Sequence, residues 1–367
     1  MKLECHKDKL GVALSLAERA TSKNPTLPIL SYILLEAKNN KLLIKATNLD
    51  IGIEIEVWAK VEKEGIIAVK GSVLMGFLNN SDRDNNISMD SSSGNLILKT
   101  KDGEATVKGV PYDDFPEIPK ISGATGMVID SGILVNGIRS VSYSASPSHI
   151  KPELASVVIY SDGKQIIFVS TDSFRLAEKK VSAGLTREIP QTIVPIKNAV
   201  ELAKVAEELG GHNMKIFLSK NQIAIDGDGI YFVSRVIDGS FPDYKQIIPK
   251  EWKTEAVVLK EDFLRALRTA TVFSDSFNQT TISVLPGKKK MTLKTKNTDV
   301  GEGDLAIQAA ISGESIDINF NHRYLSDCLP SIVSDSVSLS FSGTGKAAMI
   351  RGVSDSSFSY IVMPMNR

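Results

Sequence analysis

The chain has 367 residues, 42% of them hydrophobic and 23% charged, and its 43 basic side chains balance its 43 acidic ones. This length exceeds one ordinary hydrophobic core and suits two or three globular domains, while a net charge of zero argues against binding of nucleic acid through bulk positive charge. No apolar run approaches the roughly 20 residues of a spanning helix, and two distant cysteines imply no disulfide framework, so we expect a cytoplasmic protein without a membrane partner.

A first module begins with an amphipathic helix over residues 8–21, whose apolar side chains recur at helical spacing. Strands over 27–37 and 41–46 flank Asn39-Asn40, a pair typical of a tight hairpin turn. Alternating apolar residues predict a strand over 51–57, and a strand over 65–69 leads into a second helix over 72–78. Strands near 95–99 and 104–109 close the module.

The same order recurs twice. The second module has a helix over 131–145, a hairpin over 154–161 and 165–170, a strand over 193–195, a helix over 198–209 and strands over 215–218, 222–226 and 230–236. The third has a helix over 260–274, a hairpin over 281–285 and 290–294, a strand over 316–320, a helix over 323–329 and strands over 336–341, 347–352 and 358–363. An accidental series is the alternative, but three agreements in order favour an internal repeat of α+β class.

Short motifs support this repeat. Thr171-Asp172 and Asn297-Thr298-Asp299 fall where Thr47-Asn48-Leu49-Asp50 falls in the first module. Two similar linkers, one around Phe115-Pro116 and one around Phe241-Pro242, follow the first two modules. We therefore predict domains over residues 1–122, 123–247 and 248–367, each of an ordinary domain size.

Motifs that would indicate an enzyme or a metal protein are not convincing. The four histidines are scattered without metal-ligand spacing. Residues 226–229 resemble only part of a calcium loop, and residues 342–346 resemble a phosphate loop that lacks its leading glycine and has Ala347 where a hydroxyl should follow. We interpret both as hairpin turns, and we expect no catalytic residue, no metal and no cofactor.

Basic side chains recur on or near the helices of each module. They are Lys7, Lys9, Arg19, Lys23, Lys70, Arg139, Lys151, Lys197, Arg265 and Arg268. Any one of them is more often a solvated surface residue. Their repetition at equivalent positions favours a discontinuous lining that would contact phosphates without reading bases.

Five motifs resemble those of one family, the bacterial DNA polymerase III β subunit or sliding clamp, and the resemblance covers the whole chain. They are Pro25-Thr26-Leu27-Pro28-Ile29-Leu30, Thr171-Asp172-Ser173-Phe174-Arg175-Leu176-Ala177, Val194-Pro195, Asp238-Gly239-Ser240-Phe241-Pro242-Asp243-Tyr244 and Val362-Met363-Pro364-Met365. Each motif alone is a weak signal, whereas five in register on a three-module chain are specific.

The resemblance implies three similar clamp-type domains with helices on one face of antiparallel sheets, and a head-to-tail homodimer that forms a ring of six domains. Such a ring encircles double-stranded DNA without sequence preference and acts as a processivity factor in replication. The chain would be a non-catalytic subunit of the DNA polymerase III holoenzyme. Its implied partners are the DNA polymerase III α subunit, the clamp loader complex, and other polymerases and repair proteins with clamp-binding peptides.

The resemblance also implies three sets of site residues. An apolar pocket for partner peptides would involve Leu154, Thr171, Phe174, Arg175, Leu176, Pro242, Gln246, Ile247, Ile361, Met363, Pro364 and Met365. DNA-facing positions would be Asn24, Lys70, Arg139, Lys151 and Lys197, and the dimer interface would involve Val107, Val272 and Phe273, for which a role in the core is the alternative. Phe174, Gln246 and the ending Asn366-Arg367 depart from the family pattern and bear on which peptides bind.

Two other functions remain as alternatives. The first is a peptide-binding scaffold of the same fold that does not encircle DNA, and replacing Lys151 and Lys197 by glutamate would distinguish it from a clamp. The second is a hydrolase or transferase, which would lose turnover when a single carboxylate is replaced. Nothing in the sequence favours the second.

Overall fold

The structure is a computed structural model that describes residues 1–81, 85–92, 94–101, 103–121, 126–184 and 188–365. The predicted boundary between residues 122 and 123 lies outside the described residues, as does the ending Asn366-Arg367. The chain divides into two compact units, which we call the first unit (Met1–Gly132 and Glu201–Val236) and the second unit (Ile133–Val200 and Ile237–Arg367).

In its described residues, the first repeat has two α-helices and eight strands. In chain order they are β1 (Lys2–His6), α1 (Lys7–Arg19), β2 (Ile33–Lys38), β3 (Lys41–Thr47), β4 (Ile51–Lys63), β5 (Gly65–Val69), α2 (Gly71–Asn80), β6 (Asn86–Ser92), β7 (Asn95–Lys99) and β8 (Glu104–Val110). The predicted apolar stripe of α1 is confirmed, because its buried side chains are Leu10, Ala13, Leu14, Leu16 and Ala17. This face packs against α2 and against β3 and β4.

The second repeat has the same order of elements. They are β9 (Met127–Asp130), α3 (Ser131–Val141), β10 (Ser156–Ser161), β11 (Gln165–Thr171), β12 (Arg175–Ser182), β13 (Thr192–Pro195), α4 (Ile196–Glu208), β14 (Asn213–Leu218), β15 (Gln222–Gly227) and β16 (Ile230–Arg235). A short 3₁₀ helix, Ser142–Ser144, follows α3.

The third repeat adds one strand to this order. Its elements are β17 (Thr254–Leu259), α5 (Lys260–Val272), β18 (Gln279–Leu285), β19 (Lys290–Asn297), β20 (Gly301–Gln308), β21 (Ala310–Gly313), β22 (Ile316–Asn321), α6 (His322–Asp327), β23 (Ser336–Phe341), β24 (Ala348–Gly352) and β25 (Phe358–Val362). Helices α5 and α6 pack against each other, as α1 and α2 do. The predicted threefold repeat of α+β modules is therefore confirmed.

The strands of the first unit form a 12-stranded sheet in the order β1-β6-β7-β8-β5-β2-β3-β4-β16-β15-β14-β9. The second unit has a 9-stranded sheet in the order β13-β10-β11-β12-β25-β24-β23-β17-β21 and a 4-stranded sheet in the order β20-β19-β18-β22. All the strand pairs are antiparallel, including β4 with β16 and β12 with β25, which join different repeats.

The turn chemistry predicted from the sequence is confirmed at three hairpins. Asn39 and Asn40 have φ values of 52° and 56°, the left-handed backbone that a two-residue hairpin turn requires. Asp228 and Gly229, with φ values of 47° and 75°, likewise join β15 to β16. Residues 342–347 connect β23 to β24, so this stretch too is a turn rather than a phosphate loop.

One predicted strand is wrong at its start, and seven strands were not predicted. Residues 28–31 form a 3₁₀ helix, because Pro28 has a fixed φ and no N–H for a ladder, and the strand begins only at Ile33. The missed strands are β1, β6, β9, β12, β17, β20 and β21. Three of them, β1, β9 and β21, have only four or five residues, and β12 carries Glu178 and Lys179 at positions that only tertiary partners make suitable for burial.

Candidate peptide-binding groove and basic surface residues

The floor of the candidate groove is an apolar cluster in the second unit. Leu154, Leu176 and Ile361 are buried in one cluster with Phe241 and Tyr244. The pairing of β12 with β25 places Leu176 directly opposite Ile361, so two distant segments meet at this point. The structure thus brings together five apolar residues from four segments of the chain.

Around this floor, several predicted pocket residues expose apolar surface. Phe174, Ile247 and Met363 are 63%, 52% and 37% exposed. Pro242 and Gln246 are also exposed, and Pro364 and Met365 are half-buried. Single exposed apolar residues are common on proteins, but these lie on the three segments that border one buried cluster. Together, residues 171–176, 242–247 and 361–365 form what we call the groove.

The first segment of the groove is a rigid turn. Thr171 Oγ1 donates a hydrogen bond to the Arg175 carbonyl (2.6 Å) and accepts one from the Ser173 N–H (3.1 Å). Asp172 Oδ1 accepts from the N–H groups of Phe174 and Arg175, each at 2.9 Å. Ser173 has a φ of 77°, so the backbone reverses sharply and Phe174 lies at the tip. Such local side-chain bonds are typical of Asx and Ser/Thr turns.

The equivalent turn in the first repeat has the same hydrogen bonds. Thr47 Oγ1 donates to the Ile51 carbonyl at 2.8 Å and accepts from the Leu49 N–H at 3.0 Å. Asn48 Oδ1 accepts from the N–H groups of Asp50 and Ile51 at 3.0 and 2.9 Å, and Leu49 has a φ of 75°. The predicted correspondence of these motifs is confirmed. In the third repeat only the Asx turn remains, in which the Asp299 N–H donates to Asn297 Oδ1.

Arg175 belongs to the first segment of the groove, and its side chain is held by other groups of the protein. Its Nε is 3.0 Å from Asp172 Oδ2, and its Nη1 is 2.6 Å from Asp327 Oδ2 on α6. The guanidinium stacks 4.3 Å from the centre of the Tyr324 ring. Burial disfavours its charge, but Tyr360 and the carboxylates of Asp327 and Asp172 together outweigh burial and raise the pKa of Arg175, so the side chain stays cationic. Arg175 therefore ties the turn to α6.

The carboxyl-terminal segment of the groove is held by two main-chain hydrogen bonds. The Met363 N–H donates to the Phe174 carbonyl, and the Met365 N–H donates to the Asn319 carbonyl, each at 2.8 Å. The segment from Met363 to Met365 is thus positioned by the fold as far as the described residues extend. Two methionines around a proline give this side of the groove a polarizable and adaptable surface.

The remaining segment is a 3₁₀ helix, Tyr244–Ile247, that follows Pro242. The rings of Tyr244 and Phe241 pack edge to face with centroids 6.2 Å apart, and the Tyr244 hydroxyl donates to Glu178. Burial, and then this hydrogen bond, raise the pKa of Tyr244, so the phenol stays neutral. Tyr160 Oη lies 2.7 Å from Tyr244 Oη.

The prediction from sequence missed several residues of this site. Tyr244 stood in a recognised motif, and its position next to Pro242 was a usable signal. Glu178 and Tyr324 offered no local signal, because one is a carboxylate inside a strand and the other lies far along the chain. Ala347 and Met349, which join the same cluster, became neighbours only through the pairing of β24 with β25.

The five predicted DNA-facing side chains are all exposed. Asn24 and Lys70 belong to the first unit, and Arg139, Lys151 and Lys197 belong to the second. Lys70 Nζ lies 3.1 Å from Ser31 Oγ and 4.9 Å from the centre of the Tyr32 ring. That these residues form one lining stays a prediction.

The predicted dimer residues differ in their surroundings. Val272 is 63% exposed at the end of α5, and Phe273 is half-buried near Gly301 and Gly303. Val107 is only 5% exposed on β8, so it occupies the core position that the sequence left as the alternative. Within one chain, Val272 is therefore the member of this set that presents a free apolar surface.

Among the described residues, no group of three or more His, Cys, Asp or Glu side chains could hold a metal ion. In the same part of the chain, no helix is both long and apolar enough to cross a membrane.

Three family models match the chain in succession. They are the N-terminal domain of the DNA polymerase III beta subunit over residues 1–119, its central domain over 128–243 and its C-terminal domain over 245–366. The chain belongs to the DNA polymerase III beta subunit family. The fold class predicted from the sequence, with three clamp-type domains, is thereby confirmed, while the residue boundaries that we assigned stay predictions.

Curated relatives and solved structures agree with this family. The beta sliding clamp of Synechococcus elongatus is 26% identical over 100% of this chain and 99% of its own, and that of Staphylococcus epidermidis is 26% identical over 95% and 94%. The sliding clamp of Bacillus subtilis superposes with a TM-score of 0.93 at 24% identity, covering 100% and 99% of the two chains. A Pseudomonas aeruginosa clamp bound to griselimycin has a TM-score of 0.93 at 24% identity over 100% of both chains.

Proposed function

We propose that the chain is a DNA sliding clamp, a non-catalytic processivity factor of the DNA polymerase III holoenzyme in the cytoplasm. It would encircle double-stranded DNA and tether the DNA polymerase III α subunit, and it would also bind the clamp loader and other polymerases and repair proteins through their clamp-binding peptides. The observation that carries this proposal is the groove, because it lies in a chain whose three domains all match the family models.

The groove suits a short apolar peptide. Its buried floor offers Leu154, Leu176 and Ile361, and its exposed sides carry Phe174 and Ile247. Partner residues placed on such a floor would bury apolar surface worth roughly 25 cal/mol per Å². The methionine side can adapt to peptides of different sequence, which suits one site that serves several partners in turn.

Encirclement of DNA suits the charge of the chain. A ring is linked to DNA topologically and needs no tight grip, and strong phosphate contacts would hinder sliding. A few exposed bases such as Lys151 and Lys197, within a chain of zero net charge, fit this requirement. The head-to-tail homodimer that closes the ring is part of the proposal.

Processive DNA synthesis tests the proposal. The assay uses the purified chain, its clamp loader and DNA polymerase III on a long primed template. We expect the wild-type chain to lengthen the products of single binding events, and the double variant Lys151→Glu, Lys197→Glu to shorten them. Lys164→Glu is the matched control, because this exposed lysine lies in the turn at the other end of β10 from Lys151.

A peptide-binding scaffold that does not encircle DNA would give a different result. It would bind the α subunit, but the wild-type chain would not extend the products, and the double glutamate variant would behave as the wild type does. Negative-stain imaging together with the mass in solution gives an independent answer. A dimer-mass ring of six lobes supports the clamp, and a monomer without a hole at concentrations near those in a cell contradicts it.

A further inference from the structure

A chain of buried polar groups lies next to the floor of the groove. Tyr244 and Glu178 are 6% and 7% exposed, and the Tyr244 hydroxyl donates to Glu178 Oε2. The hydroxyl of a tyrosine has one proton, so across the 2.7 Å between the two phenol oxygens it is Tyr160 that donates to Tyr244. The other oxygen of Glu178 lies 3.2 Å from Lys180 Nζ. We call Glu178, Tyr244 and Tyr160 the tyrosine lock.

The tyrosine lock connects two of the three segments of the groove. Tyr244 begins the 3₁₀ helix that carries Ile247, whereas Glu178 lies on β12, two residues after Leu176. Other hydrogen bonds within the described residues 242–247 are local, such as the one that the Tyr244 N–H donates to the Pro242 carbonyl at 2.8 Å. The tyrosine lock is therefore the polar connection that fixes residues 242–247 relative to β12.

A purely structural role does not account well for this choice of side chains. A buried carboxylate is costly unless its hydrogen bonds are complete, and an apolar residue would fill a strand interior at lower cost. Hydrogen bonds are directional, so they hold the Tyr244 ring in one orientation, whereas packing alone would leave it free to shift. Tyr244 belongs to the same 3₁₀ helix as Ile247.

We propose that Glu178 and Tyr244 are positioning residues that hold Ile247 and Pro242 at the separation from Phe174 and Leu176 that a bound peptide needs. This inference rests on the proposed function, since it concerns the same groove. The peptide then meets a preformed site and does not have to order the turn itself. Neither residue needs to contact the peptide.

The proposal predicts a kinetic signature. Without the lock, residues 242–247 would occupy several orientations, and the apparent affinity would be multiplied by the fraction of molecules whose orientation can bind the peptide. Removal of one buried hydrogen bond to a carboxyl group costs enough free energy to lower the apparent affinity for the peptide about tenfold. This loss would appear in the association rate, while the dissociation rate would stay close to that of the wild type, because the contacts in the bound state are unchanged.

Surface plasmon resonance with the immobilised DNA polymerase III α subunit tests the lock. We expect Tyr244→Phe and Glu178→Leu to lower the association rate by roughly fivefold to tenfold. Glu178→Gln keeps an acceptor for the phenol and should restore most of that rate. Tyr231→Phe is the matched control, since the Tyr231 hydroxyl donates to the Pro119 carbonyl (3.0 Å) and accepts from the Ile121 N–H (3.2 Å) in the first unit.

Each outcome supports or overturns the proposal. An unchanged association rate for Tyr244→Phe and Glu178→Leu overturns it, as does an equal loss in Tyr231→Phe, which would indicate general destabilisation. A loss confined to the dissociation rate also contradicts it, because direct contact would then be the cause. If the wild-type chain does not bind the α subunit, the proposed function fails and the lock has nothing to position.

Discussion

At the scale of single residues, Phe174 is more exposed than the groove residues Ile247 and Met363 and is well placed to contact a partner. It lies at the tip of a turn held by four hydrogen bonds, and the Met363 N–H donates to its carbonyl. A rigid aromatic residue of this kind loses little conformational entropy on binding. Phenylalanine at this position makes the tip of the turn apolar, and its side chain carries no charge at any pH.

Replacing Phe174 by alanine should weaken binding of the α subunit by roughly tenfold, because the exposed ring would no longer cover the partner. The thermal midpoint should not change, since 63% of the side chain is exposed in the free protein. Val333→Ala, at a residue that is 79% exposed in the same unit, serves as the control and should leave affinity unchanged. Equal affinities for both variants would contradict the role of Phe174.

His322 makes the stability of the second unit depend on pH. Its Nε2 lies 3.0 Å from Ser274 Oγ, and burial, together with the nearby Arg323, lowers its pKa below the ordinary 6.5, although Asp275 and Asp327 act in the opposite sense. The unfolded chain therefore takes up the proton at a higher pH than the folded chain does. This contribution to stability is present above about pH 6.5 and is lost as the pH falls below it.

Thermal unfolding measured between about pH 7.5 and about pH 5.5 checks the direction of this pH dependence. The midpoint of the second unit should fall on acidification, and His322→Gln should flatten the dependence, because glutamine does not titrate. Ser274→Ala retains the imidazole and should keep most of the slope. A slope that is the same in His322→Gln and the wild type would show that other groups cause it.

Residues that can be predicted from sequence differ in kind from those that cannot. The turn at Thr171-Asp172 was predictable, because its hydrogen bonds lie within five residues and recur in the first repeat. Glu178 was not, since its partner Tyr244 is 66 positions away. Val107 could not be assigned to surface or core, because an apolar residue on a strand fits both.

At the scale of elements, glycines show how closely helices approach their sheets. In α3, a Cβ at Gly137 would overlap the ring of Phe168 on β11, whereas in α1 a Cβ at Gly11 would have no atom within 4 Å. Packing thus requires a glycine at position 137, whereas Gly11 only lowers the stability of its helix relative to alanine. Periodicity predicted both helices, but it could not tell these two glycines apart.

Gly11→Ala should stabilise the first unit by about 0.5–1 kcal/mol, because alanine restricts the unfolded chain. Gly137→Ala should destabilise the second unit by about 1–3 kcal/mol, because the added methyl group forces α3 away from β11. Differential scanning calorimetry should show midpoints that move in opposite directions. A rise or no change in Gly137→Ala would contradict the close packing described for α3.

At the scale of the whole molecule, the proposed ring depends on a joint between copies of the chain. Val272 suits a test of that joint, because it is 63% exposed and its replacement should not disturb the core of one chain. Val107 is less suitable, since it is 5% exposed and its loss would damage the first unit itself.

Val272→Glu should convert a dimer into monomers, because a glutamate placed in an apolar joint would be buried without a partner. Analytical ultracentrifugation over a dilution series measures the shift. Val333→Glu places the same charge on another exposed valine and should leave the dimer intact. If Val272→Glu dissociates over the same range of concentrations as the wild type, the joint lies elsewhere.

Pairing of strands from different repeats also limits where the chain can be divided into fragments that fold. Five residue pairs join β4 to β16, and five join β12 to β25, so each ladder crosses a border drawn by the family models. A fragment that ends at such a border would expose the unpaired edge of a sheet, which invites aggregation. Genetic excision of a single domain should therefore yield insoluble protein, and a split version of the chain is better designed with its break at a hairpin tip such as Asn39-Asn40.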